Sequence, residues 1–300
     1  GVEPIDFTRV PNPSRPGVFV IDNNFENPYT DRFTLGYERE VLPLTSMGID
    51  FTYAKSEQLQ RLVDINRQYD GTTASNGLPR YSSSAFPFPF YGTITTSVSD
   101  ATSRYTALTA TVRRRLANNF SYYAALTYSK DKDSDSNERN FAGIQAEDYN
   151  DLDLNYAYSN RDQRWKGVIN GLWQTPWWGI NLSGAFRYNT GQPFTATVNS
   201  DLNNDGQSGT DRPTVGGTHF DRNSFRQPDF YSLDLRIGKE FKVGPGGLSI
   251  FAECFNCTDA ENRSVVSTVW GTGQTPLASF GQENGGGLPR TIQLAARYDF

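Results

Sequence analysis

Nine stretches of this chain read as strands that alternate apolar and polar residues with a period of two, less cleanly at Trp165–Trp173 and Leu248–Cys257, and the connections between them alternate in length. The last stretch shows the pattern most cleanly. Ile292, Leu294, Ala296, Tyr298 and Phe300 fall on one face of an extended strand, and Thr291, Gln293, Ala295, Arg297 and Asp299 on the other. A single strand of this kind fits a water-soluble sheet with one wet face. It fits equally an outer-membrane barrel with lipid on one face and a wet lumen on the other. The connections separate the two. Turns of about three to six residues alternate with loops of about thirty or more. Outer-membrane barrels place short turns on the periplasmic side and long loops outside, whereas soluble sandwiches do not sort their loops by length.

The strands are predicted near 30–41, 45–54, 104–116, 119–130, 162–174, 180–191, 229–241, 247–257 and 290–300. Between them lie long external loops at 55–103, 131–161, 199–228 and 258–289, with an external loop segment at 1–29 that is rich in Pro and Asn. Within the first long loop, Gly92 to Val98 is expected to pair with Tyr105 onward as an extension of the sheet. The hydrophobic fraction is only 36 %, yet 14 % of residues are aromatic. A thin apolar band needs few aliphatics and many interfacial rings. Tyr122, Tyr128, Trp165, Trp173, Trp177, Trp178, Tyr231, Phe241, Tyr298 and Phe300 sit near strand ends, where a girdle would be. No stretch reaches the roughly 18 apolar residues of a membrane helix, and Gly1 to Pro16 does not read as a signal peptide. The fold class is all-β, an antiparallel transmembrane β-barrel. Nine is odd, and bacterial single-chain barrels use even numbers. The chain is therefore expected to be the C-terminal portion of a larger barrel, entered through an outer loop.

Several stretches resemble the TonB-dependent outer-membrane receptors, in particular the Oar-like branch with a carboxypeptidase-regulatory-like domain. They are Asn27-Pro28-Tyr29-Thr30, Asp64-Ile65-Asn66, Ser103 to Leu108, Leu126 to Lys130, Asn189 to Phe194, Asp201 to Gly206, Asp211-Arg212-Pro213, Glu253 to Asn256 and the aromatic terminus. The resemblance implies a barrel of about 22 strands around a plug. It also implies contact with TonB through the plug-bearing part, and recognition of the terminal strand by the barrel-assembly machinery. Ala295 stands where that strand commonly has a glycine. Energised uptake of an external ligand is the implied function. An outer-membrane scaffold or surface-attachment barrel without transport is the alternative, and a secreted soluble β-rich binding protein a third. No catalysis is expected, since one His and two Cys offer little for nucleophile or metal chemistry. The net charge of −5 excludes a general nucleic-acid binder. The expected surroundings are outer-membrane lipid and lipopolysaccharide.

The sharpest local motif is Asp201, Asn203, Asp205, Gly206 and Asp211, with the Gln207 carbonyl as a further ligand. Oxygen side chains at alternate positions before a turn glycine suit a Ca2+ loop. A solvated Asn/Asp/Gly turn has the same composition. Arg212 stands where an EF-hand has its bidentate Glu. Cys254 and Cys257 would lie about 10 Å apart in an extended strand, too far to bridge. A disulfide requires the strand to end by Asn256; otherwise both thiols are free. His219 reads as a surface histidine. Asp131, Asp133, Asp135, Glu138, Glu147 and Asp148 read as a solvated acidic loop, or as a cation-mediated contact with lipopolysaccharide. Arg113, Arg187, Asp234, Arg236, Glu253 and Arg297 face the lumen and are expected to pair across the wall or hold a plug, with substrate binding as the alternative. Phe86, Phe88 and Phe90 are expected to pack a Pro-rich loop onto the rim, with ligand stacking as the alternative.

Overall fold

The computed structural model describes residues 15–136 and 143–300. Its frame is a meander of nine long antiparallel strands, each bonded to its neighbours in chain order. They are β1 (Tyr29–Leu42), β2 (Thr45–Asp64), β3 (Ile94–Ala117), β4 (Phe120–Asp133), β5 (Trp165–Gln174), β6 (Ile180–Asn189), β7 (Phe230–Val243), β8 (Gly246–Phe255) and β9 (Thr291–Asp299). β1 and β9 are the two edges of this open sheet. The short turns all lie at one end, and the loops 65–93, 134–164, 190–229 and 256–290 at the other.

Register carries the period-two pattern across the whole sheet. One row runs Leu35, Phe51, Leu108, Tyr128 and Trp165. Another runs Trp173, Leu182, Ile237, Ala252 and Leu294. Most of these side chains are exposed; Leu294, for instance, is 78 % exposed. A soluble sheet would have to bury such a face, so the soluble reading is excluded and lipid is its solvent. Aromatic pairs mark both margins. Tyr128 and Trp165 meet at 4.8 Å on the long-loop side, while Trp173 and Trp177 meet at 5.3 Å on the short-turn side.

The opposite face is polar, and five of the six charges expected to pair there do so among the described residues, Arg113 being the exception. Arg187 reaches Asp234 at 2.8 Å, Arg236 reaches Glu253 at 3.6 Å, and Arg297 reaches Asp299 at 2.7 Å within its own strand. Thr109 and Thr127 share a hydrogen bond across β3 and β4. This face borders a concave space of about 800 Å³, lined in part by Arg113, Tyr123, Asn170, Asp234 and Arg236.

Several boundaries differ from expectation. β2 and β3 hold 20 and 24 residues, far beyond the 9–11 or so that cross a membrane. The loop expected at 55–103 thus shrinks to 65–93. The stretch from Ile94 is one strand with 104–117; it pairs with Arg61–Asp64 rather than with Tyr105 onward. Gln58 explains why the alternation hides this. Its φ of 56° marks an irregularity between Ser56 and Leu59, after which the facing of the side chains changes. The segment expected as plain loop at 1–29 contains Val18–Ile21, which lies parallel to Ile94–Ser97. The strand expected from 162 starts at Trp165.

The hydrophobic core sits outside the band. Leu62, Val63, Tyr81, Ile144, Ala146 and Tyr149 form the buried apolar cluster among the described residues. They come from the projecting end of β2 and from the first two long loops. A barrel wall flanked by lipid and a wet lumen has no core of its own, so apolar burial occurs where the loops close over one another.

Candidate functional site

The second long loop supplies the hub of this cap. Glu147 is almost fully buried and accepts the Arg212 backbone N–H at 2.7 Å, the Arg212 guanidinium, and Asn76 Nδ2 at 3.2 Å. His219 Nε2 lies 2.9 Å from it, with Nδ1 3.0 Å from Thr214 Oγ1. Burial by itself raises the Glu147 carboxyl, but the His219 bond and the Arg212 charge outweigh that and hold it below the ordinary range. Next to it, Asp148 accepts hydroxyls from Tyr69 and Tyr81, and Asn150 Nδ2 donates to the Tyr81 oxygen. Burial first, then Asp148, pushes the Tyr81 hydroxyl far above its usual value, so it remains a donor. Tyr81 stacks on Tyr149 at 5.0 Å.

These contacts correct the solvated-loop reading of the acidic run. Asp133, Asp135, Glu147 and Asp148 are buried, and Asp133 pairs with Arg222. Asp131 is the acceptor of a backbone bond from Ser159, while Glu138 lies outside the described residues. His219 is likewise partly buried and engaged, not a free surface histidine.

The Asp/Asn motif folds as a tight loop on this hub. Asp201 accepts the N–H groups of Asp205 at 3.0 Å and Gly206 at 2.9 Å. Asn203 Oδ1 also accepts from Asp205 N–H, and its Nδ2 donates to the Glu147 carbonyl at 2.6 Å. Asp211 Oδ2 accepts from Leu202 N–H. The turn needs glycine at Gly206, where φ is +91° and a Cβ would lie 2.8 Å from the Arg67 guanidinium. Asp201, Asp205 and Asp211 each present a carboxylate oxygen within 4.8 Å of the other two. Burial, with Asp201 and Asp211 adding to it, pushes Asp205 up to about 8 despite its bond from Gln207 N–H. Burial, with Glu147 and Asp201, pushes Asp211 up to about 7. Asn203 is buried beside them, and the Gln207 carbonyl accepts from Thr210 Oγ1. Arg212 has turned away to Glu147.

The remaining candidates separate. Cys254 and Cys257 form a disulfide with Cα atoms 5.5 Å apart. The strand ends at Phe255 and Asn256 adopts φ 47°, which is the break that bridging required. Phe86 is held under the guanidinium groups of Arg15 at 4.3 Å and Arg67 at 5.5 Å. Phe88 and Phe90 are 48 % and 53 % exposed, so only the first of the three packs down. Residues to which the sequence assigned no contact role hold the cap together. Asn66 donates to the carbonyls of Phe88, Tyr91 and Gly92. Phe194, Phe220, Phe225, Trp270 and Phe280 form one ring cluster joining the third and fourth long loops. The sequence carries no local signal for that cluster, because its rings lie far apart in loops that are otherwise polar.

Comparison with known proteins places this architecture. No curated protein matches the sequence. The outer membrane transporter YddB from Escherichia coli superposes with a TM-score of 0.52 at 11 % identity, covering 94 % of this chain and 34 % of that one. The pyoverdine outer membrane receptor FpvA from Pseudomonas aeruginosa PAO1, bound to pyoverdine, superposes with a TM-score of 0.52 at 12 % identity, covering 92 % and 30 %. The chain thus spans about a third of the length of the transporter and receptor chains it resembles. The family model for the outer membrane beta barrel domain matches residues 2–220. With its lipid-facing strands and sorted loops, this chain belongs to the outer membrane beta-barrel domain family and is integral to the bacterial outer membrane.

Proposed function

We propose that this chain is barrel wall and outer-loop cap of a TonB-dependent, Oar-like receptor that takes up an external ligand. The observation that carries the reading is the open nine-strand sheet. Its charged inner face borders a wide concave space, and its fold is similar to about a third of longer transporter and receptor chains. The remaining strands and the plug come from other parts of the protein, with β1 and β9 as their docking edges. TonB acts through the plug, and the lumen charges at Arg187, Asp234, Arg236 and Glu253 line its bed. The aromatic end of β9 is the segment offered to the barrel-assembly machinery. The chain carries no catalysis in this reading.

Uptake by cells with and without the gene for the full protein tests this, using a panel of radiolabelled chelates, glycans and peptides. At least one label is expected to enter about tenfold more slowly without the protein, and to need TonB in the complemented strain. Unchanged uptake of every label, or uptake persisting without TonB, overturns transport. The scaffold reading would then stand, and the hydrogen-bonded cap favours it as a rigid docking surface.

A further inference from the structure

We infer that Asp201, Asp205 and Asp211, with the Asn203 side-chain oxygen and the Gln207 carbonyl, hold one Ca2+ that fastens the outer loops together. Three carboxylate oxygens within 4.8 Å of one another is the first observation. Ligands on opposite sides of an ion at about 2.4 Å are separated by about that distance.

The second is independent of the clustering. Asp205 is 1 % exposed, and its Oδ2 is buried with no hydrogen-bond partner. Buried carboxylate oxygens are almost always satisfied, and a charge in that position needs an opposite charge. Arg67 acts on Asp205 through its charge but leaves that oxygen without a bond. Arg67 passes close to Gly206, but its Nε is bonded to Asp64 at 3.2 Å and it makes no hydrogen bond to Asp205. Arg212 is committed to Glu147.

The donors are all hard oxygens, which excludes the softer metals as natural occupants. His219 is turned to Glu147 and Thr214 and adds no nitrogen. Two carboxylates are buried and one is more open, so solvent completes the shell from the Asp201 side. Such an irregular oxygen set suits calcium better than magnesium, which demands near-octahedral geometry and keeps most of its waters.

An ion here acts beyond its own loop. The 201–211 backbone is held by Tyr81 N–H on the Asn203 carbonyl at 2.7 Å, by Asn204 Nδ2 on the Tyr81 carbonyl at 2.8 Å, and by Asn203 on Glu147. Fixing the ligands therefore fixes the meeting point of the first three long loops. This holds whether or not the barrel transports, so its failure and that of the uptake reading are distinguishable.

The test uses the full protein in detergent, stripped with EGTA, with Ca2+ itself as probe by calorimetry. One ion is expected per chain, with a Kd at or below about 10⁻³ M, the range of extracellular modules. Ca2+ should slow hydrogen exchange at 76–82, 143–156 and 201–212 while leaving the nine strands unchanged. Asp205→Asn and, separately, Asp201→Asn should weaken binding at least about tenfold and abolish the calcium-dependent protection. Asp70→Asn, at an exposed acid elsewhere in the cap, should bind as the parent does. Heat-dependent gel mobility reports a folded barrel for each variant. If Asp205→Asn lacks it, the more exposed Asp201→Asn decides. No uptake of Ca2+ at about 10 mM, parent-like affinity in the folded variants, or equal affinity for Mg2+ overturns the inference.

Discussion

Glu147 is the residue on which most of the cap depends. Its side chain and that of Arg212 are 1 % and 2 % exposed, so neither charge has water to fall back on. Glu147→Gln keeps the shape and removes the charge. It should cost about 3–5 kcal/mol of cap stability, because it strands a buried guanidinium. Limited proteolysis is expected to cut within 143–164 and 201–220, with heat-dependent mobility of the barrel retained. Tyr81→Phe removes one hydroxyl that donates to Asp148 at 2.7 Å and accepts from Asn150 at 3.0 Å. A bond to a charged acceptor is worth about 1.5–3 kcal/mol. Faster hydrogen exchange at Asp148–Asn150 by the corresponding factor is the measurement. Neither partner was legible from sequence, where Glu147 and Asp148 look like any acidic loop pair.

At the scale of elements, strand positions were legible because alternation is local and continuous. The exceptions have local causes. Gln58 interrupts the facing of β2, so the polar continuation Lys55 to Asp64 reads as loop although it pairs with β3 to its end. The Cys254–Cys257 bridge depended on where β8 stops, which Asn256 decides. Its side chain binds Ala260 N–H and the carbonyls of Ala260 and Leu288, stabilising the turn out of the strand. So short a closed loop stabilises by only about 2 kcal/mol in the chain-entropy model. Cys254→Ser with Cys257→Ser should therefore leave the barrel folded by gel mobility. In the parent, mass spectrometry should find both thiols alkylated only after reduction.

The whole molecule divides into a wall without a core and a cap that contains one. Substitutions should divide the same way. Leu235 points to lipid between the two aromatic margins, opposite Gly184 and Cys254. Leu235→Arg should cost about 2–4 kcal/mol, the midplane value for a cation on a barrel's lipid face. Asn170→Arg, on the lumen face beside Tyr123 and Ala185, should change stability little. Urea unfolding of the full protein in lipid vesicles separates the two; equal costs would contradict the assignment of faces.

By itself, the sequence determined the number of membrane-crossing strands, their direction, the face most side chains take within the membrane band and the side on which the loops lie. Those follow from neighbours in the chain and from a bilayer that requires every backbone group to be paired. Only the tertiary structure decided that the polar loops are one body. Arg212 meets Glu147 across 65 residues, Tyr81 meets Asp148 across 67, and Asn204 meets Tyr81 across 123. No periodicity links such positions, because a loop's partners are chosen by three-dimensional closure and by the need of buried charges for each other.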